Sequence, residues 1–287
     1  MLPGRISYAL FLFTFHGAFN VKLIMKKLFI FLATALFIAV PTAFAAEADG
    51  SDQSPDADAP RVLFILTSHG ALGDTGKETG FYLSEATHPY HVLKQAGIAV
   101  DFASPNGGKA PVDPKSMDLE DPVNKAVMED EIFTSGIENT MKLTKVDPSK
   151  YDAVYYPGGH GTMWDFPENE EIQEITREVY EGGGVIGAVC HGPAALVNVT
   201  LEDGSPLLQG KRVAAFTNEE EKAVELADTV PFLLADKLEE AGAEHVPAEN
   251  WAEQVIVDER LVTGQNPSSA TKLGEKMVEL IKENSQG

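Results

Sequence analysis

The chain is 287 residues long and carries 44 acidic against 22 basic side chains, a formal charge of −22. Such a charge repels polyanions, which excludes nucleic acid and anionic membrane surfaces as natural partners. One cysteine, Cys190, excludes an internal disulfide and leaves packing or reactivity as the reason for its presence.

The first residues read as a leader. From Met25 the order is Met-Lys-Lys, an apolar run from Leu28 to Val40, then Pro41-Thr42-Ala43-Phe44-Ala45-Ala46. A basic start, an apolar stretch and small residues at the end make up a cleavable secretory signal. The run falls short of the roughly 20 apolar residues that span a bilayer. Residues 1–24 stand in front with an apolar stretch of their own, Tyr8 to Phe19, and Met25 makes the better beginning. The expectation is an N-terminal extension and signal over 1–46 and a periplasmic or secreted product. That product would have no stable membrane association after signal removal. Residues 47–60, acidic and rich in Ser, Asp, Pro and Gly, are expected to be a flexible linker. Residues 61–287 suffice for one core and one domain.

Within that domain Arg61–Thr67 is a continuous apolar run, the pattern of a strand buried on both faces. A Gly-rich loop follows from Ser68 to Glu78, then a helical pattern from about Phe81 to Gly97 and a strand over Ile98–Ala103. The acidic, weakly periodic stretch Ala110–Phe133 reads as an insertion or short helices at an active-site rim. Tyr151–Tyr156 is a strand that ends in Pro157-Gly158-Gly159-His160. Asn169–Tyr180 is an amphipathic helix, Val185–Val189 a strand, and Pro193–Val199 the beginning of a helix. Arg212–Phe216 and Gln254–Thr263 add strands, and Ser268–Glu283 closes the chain with a helix. Apolar strands alternating with helices predict an α/β three-layer sandwich around a mostly parallel sheet, flavodoxin-like in class.

The most specific stretch is Val185-Ile186-Gly187-Ala188-Val189-Cys190-His191-Gly192-Pro193. An apolar strand runs straight into cysteine, and the small Ala188 and Gly192 flank it as a sharp strand-to-helix turn requires. This is the pattern of a nucleophile elbow. It would lift the sulfur above the carboxyl ends of the strands and set it at a helix N-terminus, where thiolate is favoured. The alternative is an inert cysteine at a strand end. Gly158-Gly159-His160-Gly161-Thr162 could present backbone N–H groups to an oxyanion, with Gly159 and His191 as its two donors.

Together these residues resemble the PfpI/ThiJ superfamily, whose fold is like that of class I glutamine amidotransferases. The resemblance is greatest to the branch of glutathione-independent glyoxalases (glyoxalase III, D-lactate dehydratase) and stress-induced chaperones. It rests on Thr79–Pro89, Gly158–Thr162, Ala188–Pro193, Phe216-Thr217 with its acidic tail, and Leu261–Pro267, and it runs over nearly all of 61–283. It implies Cys190 as nucleophile, His191 as general base and Glu85 as a carboxyl beside the sulfur. An acid after the Phe-Thr strand end would complete the triad. Spacing selects Glu221, with Glu219 as fallback and Glu220 between them. On sequence grounds alone Glu85 is a helix residue on a solvated face. His88 and His160 read as structural.

The resemblance further implies a small 2-oxoaldehyde substrate such as methylglyoxal and no cofactor. No P-loop, dinucleotide fingerprint or His-Glu-x-x-His set is present. A homodimer is left open. Three rivals stand beside this. A glutamine amidotransferase needs a late His-x-Glu pair, which His245-Val246-Pro247 does not supply. A PfpI-type cysteine peptidase, amidase or deglycase would use the same residues. A holdase chaperone would need an exposed apolar patch.

Overall fold

A computed structural model describes residues 59–285; the expected leader and nearly all of the expected linker lie outside them. The strands are β1 (Arg61–Ile65), β2 (Ala99–Ser104), β3 (Met141–Lys142), β4 (Ala153–Tyr156), β5 (Val185–Val189), β6 (Arg212–Val213), β7 (Glu244–His245), β8 (Val255–Asp258) and β9 (Leu261–Gly264). The α-helices are α1 (Leu83–Gln95), α2 (Pro122–Met128), α3 (Glu131–Glu138), α4 (Thr162–Asp165), α5 (Glu170–Glu181), α6 (Asn218–Ala223), α7 (Leu234–Glu240) and α8 (Ala270–Asn284).

Seven strands form one sheet in the order β3-β2-β1-β4-β5-β9-β8, and only the β8–β9 pair is antiparallel. Alternate side chains of the central strands serve two cores, because successive residues of a strand point to opposite faces. Leu63, Ile65, Val154, Tyr156, Ile186 and Ala188 pack with α5 and α7 through residues such as Ile175, Val179 and Leu238. Val62, Phe64, Tyr155, Val185 and Val189 pack with α1, α3 and α8 through Leu93, Phe133, Leu273 and Met277. The layered sandwich expected from the alternation of strands and helices is the one observed.

Three expectations change in detail. Gln254–Thr263 is not one strand but the β8–β9 hairpin, turned at Glu259 with φ 54°. Of Arg212–Phe216 only β6 is strand, and it pairs with β7 in a separate two-stranded sheet. The chain after Cys190 forms a 3₁₀ helix, Gly192–Leu196, and no α-helix. The acidic insertion does hold short helices, α2 and α3, started by the side chains of Asp121 and Asp130 on backbone N–H groups.

Two close approaches fix the centre of the sheet. Gly187 lies under Met277, whose Sδ would be 2.4 Å from an added Cβ. Gly192 lies against the end of β4, where an added Cβ would stand 2.1 Å from the Tyr156 carbonyl oxygen. Backbone cannot yield as a flexible side chain can. Gly192→Ala is therefore expected to destabilise the domain by about 2 kcal/mol or more in urea unfolding, as overpacking does. Gly210→Asn, at φ 72° with nothing within 4 Å of an added Cβ, should cost less than about 1 kcal/mol. Equal losses in the two variants would remove the packing argument.

Candidate active site

β5 delivers Cys190 in a backbone conformation that side chains rarely adopt. Its φ is 59°, the left-handed region, where a residue other than glycine costs about 1–3 kcal/mol and persists only when its surroundings hold it. Here the Cys190 N–H donates to the Gly264 carbonyl at 2.9 Å, and its own carbonyl accepts from the Phe216 N–H at 3.0 Å. The elbow inferred from the small residues is thus present. It turns the sulfur into a cavity of about 390 Å³ at the carboxyl ends of the strands. A more open cleft of about 790 Å³ lies at the opposite ends of the strands, around Asp152, Gly184 and Arg260, and none of the candidate site residues lines it.

Cys190 Sγ lies 3.2 Å from His191 Nδ1. On the far side of that ring, His191 Nε2 lies 2.7 Å from Glu221 Oε2. The geometry sets the tautomer. Nε2 carries the proton and donates it to the carboxylate, so Nδ1 faces the sulfur with its lone pair. Burial is the main cause that keeps His191 below its ordinary pKa, with His160 adding to it, so the ring is neutral at rest. Glu221 is desolvated, but two imidazole donors more than offset this and hold its pKa down to about 2.

Glu221 owes its place to the start of α6. Thr217 caps the helix in a reciprocal pair with Glu220. Glu220 is wholly buried and accepts five hydrogen bonds: from the Thr217 N–H and hydroxyl, the Trp251 N–H, Gln265 Nε2 and Asn266 Nδ2. Glu219 is exposed. Of the three adjacent glutamates, only Glu221 reaches His191. The acidic helix is therefore no plain solvated face, since two of its three glutamates point inward.

Glu85 is also wholly buried, against the solvated face that its sequence position suggested. Its Oε2 accepts from the Gly158 N–H at 2.8 Å, and its carboxyl meets the Cys190 sulfur. Its Oε1 is buried without a hydrogen-bond partner. Two residues hold the backbone there. Pro89 lacks the N–H that would have bonded the Glu85 carbonyl one turn back, and the Tyr155 hydroxyl donates to that carbonyl at 2.6 Å instead. Burial raises the Glu85 pKa to about 8, despite the opposing hydrogen bonds from Cys190 and Gly158.

The expectation of a depressed cysteine pKa is corrected. Burial pushes the Cys190 thiol well up, and the charge of Glu85 adds to this, while the Gly159 N–H directed at the sulfur works the other way. The helix behind the sulfur is a short 3₁₀ turn with little dipole to offer. The physical unit is a buried pair, Cys190 and Glu85, that holds a proton between two acidic atoms.

Gly158 and Gly159 are required by proximity. A Cβ on Gly158 would lie 2.6 Å from the His191 nitrogen, and one on Gly159, at φ 102°, would lie 2.3 Å from the Gly80 carbonyl oxygen. Their backbone can therefore lie against the elbow as an oxyanion site demands. His88 stays away from the cavity and contacts Thr271 and Asp121. His160 does not. Its Nε2 lies 2.9 Å from Glu221 Oε1, its ring centre is 4.2 Å from that of His191, and it lines the cavity. His160, His191 and Glu221 offer donor atoms within 4.8 Å of one another, a set that could hold a metal ion. Here both carboxylate oxygens already accept from the two imidazoles.

The residues that sequence reasoning set aside or missed are His160, Phe216 and Trp251. The ring of Phe216 lies 4.5 Å from His191 and 5.7 Å from Trp251, centre to centre. His160 was within reach of inference, as it directly follows the Gly-Gly turn; Trp251 carried no signal.

Residues 77–280 match the model of the DJ-1/PfpI family. The chain belongs to the DJ-1/PfpI family. Among its relatives, Glyoxalase 3 of Candida albicans is 33% identical over 231 residues, which cover 76% of this chain and 97% of the relative. Glutathione-independent glyoxalase HSP31 of Saccharomyces cerevisiae is 33% identical over 242 residues, covering 77% and 98%. Of solved structures, the Rapid Encystment Protein of Francisella tularensis superposes with a TM-score of 0.75 at 41% identity, covering 77% of this chain and 99% of that one. Glyoxalase III of Candida albicans gives 0.71 at 32% identity, covering 77% and 97%.

The same comparison overturns the expected periplasmic or secreted location. The DJ-1/PfpI relatives are accounted for over 97% and 98% of their length by the matched region, so they hold no counterpart of a leader and lend no support to export. Among the described residues no helix is long and apolar enough to cross a membrane.

The site makes stability depend on pH. Glu85 holds its proton up to about pH 8 when folded, against an ordinary value of 4.5, so in that window the folded state binds a proton that the unfolded state has lost. Stability from this group therefore falls as pH rises, by up to roughly 1.4 kcal/mol per unit. Urea unfolding at pH 5.5, 6.5 and 7.5 should show that slope in the parent protein and a flatter one in Glu85→Gln. Glu221 acts in the opposite sense: its contribution is complete above 4.5 and lost as pH falls toward 2. Identical slopes in parent and Glu85→Gln would mean that the carboxyl is already ionised.

Proposed function

We propose that this protein is a cofactor-independent, cysteine-dependent glyoxalase of the glutathione-independent (D-lactate dehydratase) type. It converts methylglyoxal or a related 2-oxoaldehyde with one water to the 2-hydroxy acid, in stress protection. The observation that carries this reading is the buried Glu85 carboxyl against the Cys190 sulfur, with a pKa of about 8. A group that gives and takes a proton near neutral pH beside the nucleophile is what an aldehyde-to-acid isomerisation needs. The relatives named as glutathione-independent glyoxalases support it.

The route follows from the geometry. Cys190 adds to the aldehyde carbon as His191 Nδ1, 3.2 Å away, takes the thiol proton. The new oxygen lies toward the Gly159 and His191 N–H groups and becomes the hydroxyl of a hemithioacetal. Glu85 removes the proton from the former aldehyde carbon and returns it to the neighbouring carbon, while the hydroxyl proton passes from the first oxygen to the second by way of the enediol, with His191 as the relay. The product of that transfer is a thioester of the 2-hydroxy acid. Water then attacks the thioester with His191 as base, and the acid leaves as the thiol is restored. Glu221 holds the His191 ring and stabilises it when charged, and His160 holds the second oxygen of Glu221.

Turnover of methylglyoxal by purified protein without glutathione is the test. Cys190→Ala should abolish lactate formation, and Glu85→Gln should reduce kcat at least 100-fold, within the range of general acid–base contributions. The active form is the Cys190–Glu85 pair with one proton, so kcat/KM should rise with pH up to about 8 and then level. Glu85→Gln should lack that bend. Peptide or amide cleavage without lactate would favour the peptidase reading instead, and holdase activity unaffected by Cys190→Ala would point to a chaperone.

A further inference from the structure

We propose that Trp251 determines specificity, and that the site is shaped for 2-oxoaldehydes whose carbonyl carries an aryl or similarly broad apolar group. This inference rests on the glyoxalase reading of the site and extends it to the substrate class.

The first observation is size. Methylglyoxal has five non-hydrogen atoms, whereas the cavity of about 390 Å³ has the volume of roughly a dozen water molecules in the liquid. The second is the character of the walls. The polar groups needed for the chemistry are gathered at Cys190, His160, His191 and Gly159; Leu72, Phe216, Val224, Leu226 and Trp251 form an apolar wall, and Asp113, Lys115 and Ser268 add polar groups elsewhere in the lining. The third is order. Ring centres step from His191 to Phe216 over 4.5 Å and from Phe216 to Trp251 over 5.7 Å, and Trp251 is 46% exposed. An apolar track therefore leads from the catalytic imidazole to the mouth. A methyl group on the carbonyl carbon cannot reach its outer end, whereas a phenyl group on the same carbon would extend along Phe216 towards Trp251.

Trp251 is also held where folding alone gives no reason to hold it. Its φ is 65°, a region disfavoured for a large side chain, and about half of its surface stays in solvent. The carboxylate of wholly buried Glu220 fixes the conformation by accepting the Trp251 N–H at 2.8 Å. The same carboxylate caps the helix that presents Glu221. The mouth and the catalytic acid are thus fixed by neighbouring residues of one helical turn. An indole held open at the mouth of a reactive pocket has the placement of a recognition group.

The experiment compares kcat/KM for phenylglyoxal and methylglyoxal in the parent, Trp251→Gly and Trp251→Phe. Glycine is at home at positive φ, so it removes the ring and keeps the turn. The parent should favour phenylglyoxal by tenfold or more, the scale on which apolar pockets discriminate. That ratio should fall at least tenfold in Trp251→Gly and return most of the way in Trp251→Phe. A parent ratio near one, or a ratio that Trp251→Gly leaves unmoved, would overturn the proposal, even if both rates drop together. A second arm does not depend on turnover. The products mandelate and lactate are titrated against parent and Trp251→Gly by calorimetry, and mandelate should bind at least tenfold tighter in the parent alone. Failure of turnover with both aldehydes would refute the glyoxalase reading. Equal binding of the two acids would refute the role of Trp251.

Discussion

A peptide chain leaving a buried parallel strand has to turn within one or two residues if it is to pack a helix back on the sheet. In this protein the turn is made at Cys190 itself, with φ 59°, and not at a glycine. The next residue but one is a glycine because the Tyr156 carbonyl is in the way of any side chain. The strained cysteine is held on both sides by backbone hydrogen bonds, one to β9 and one to the segment that leads into α6. Everything catalytic is measured from this bend. It sends the sulfur up, brings the His191 N–H beside Gly158, and lets the His191 ring reach back to touch the sulfur. Were Cys190 extended like the residues before it, the side chain would point into one of the two cores and no arrangement of neighbours could make it reactive.

The bend creates an electrostatic difficulty, because three carboxyl groups are buried around it. Each is accommodated differently. Glu220 accepts from five neutral donors, which fill the hydrogen-bonding capacity of its buried oxygens. Glu221 keeps its charge through two imidazoles, one of them the ring that meets the sulfur. Glu85 has one backbone donor and the sulfur, too few for a permanent charge, and it holds a proton to about pH 8. The under-solvated carboxyl is the one placed against the nucleophile. Its poor solvation is the source of its usefulness, since a carboxyl with better partners would be too weak a base to move a proton at neutral pH.

The elbow, the strand order's parallel character and the two-sided core were legible because they rest on local pattern. A continuous apolar run with small residues at its end, followed by Gly and Pro, admits few structures. The choice of Glu221 among three glutamates came from the family resemblance, with Glu219 as fallback, and Glu221 is the one that hydrogen-bonds His191. What was not legible depends on contacts distant in sequence. Glu85 was named only through the family resemblance; by its own pattern it looks like a surface helix residue until Tyr155 of β4 and Gly158 beyond it meet it. Trp251 lies in a loop with no periodicity, and only the bond to Glu220, 31 residues earlier, fixes it at the mouth. The rise in the cysteine pKa was missed for the same reason. A helix N-terminus is visible in sequence, whereas burial and the charge of a carboxyl from another strand connection are not.

The raised thiol pKa has a chemical logic of its own. A cysteine kept as free thiolate in an open cavity reacts with any oxidant or electrophile that enters, because the thiolate is the reactive form. In this site the proton stays within the Cys190–Glu85 pair until an acceptor is needed, and His191 Nδ1 stands 3.2 Å from the sulfur to receive it. In the proposed reaction ionisation is coupled to addition, and the charge that forms passes to the new oxygen. Glu85, which accepts from the Gly158 N–H, is a second proton-handling group beside the sulfur, and the proposed isomerisation needs one, whereas attack by the thiol with His191 as base does not.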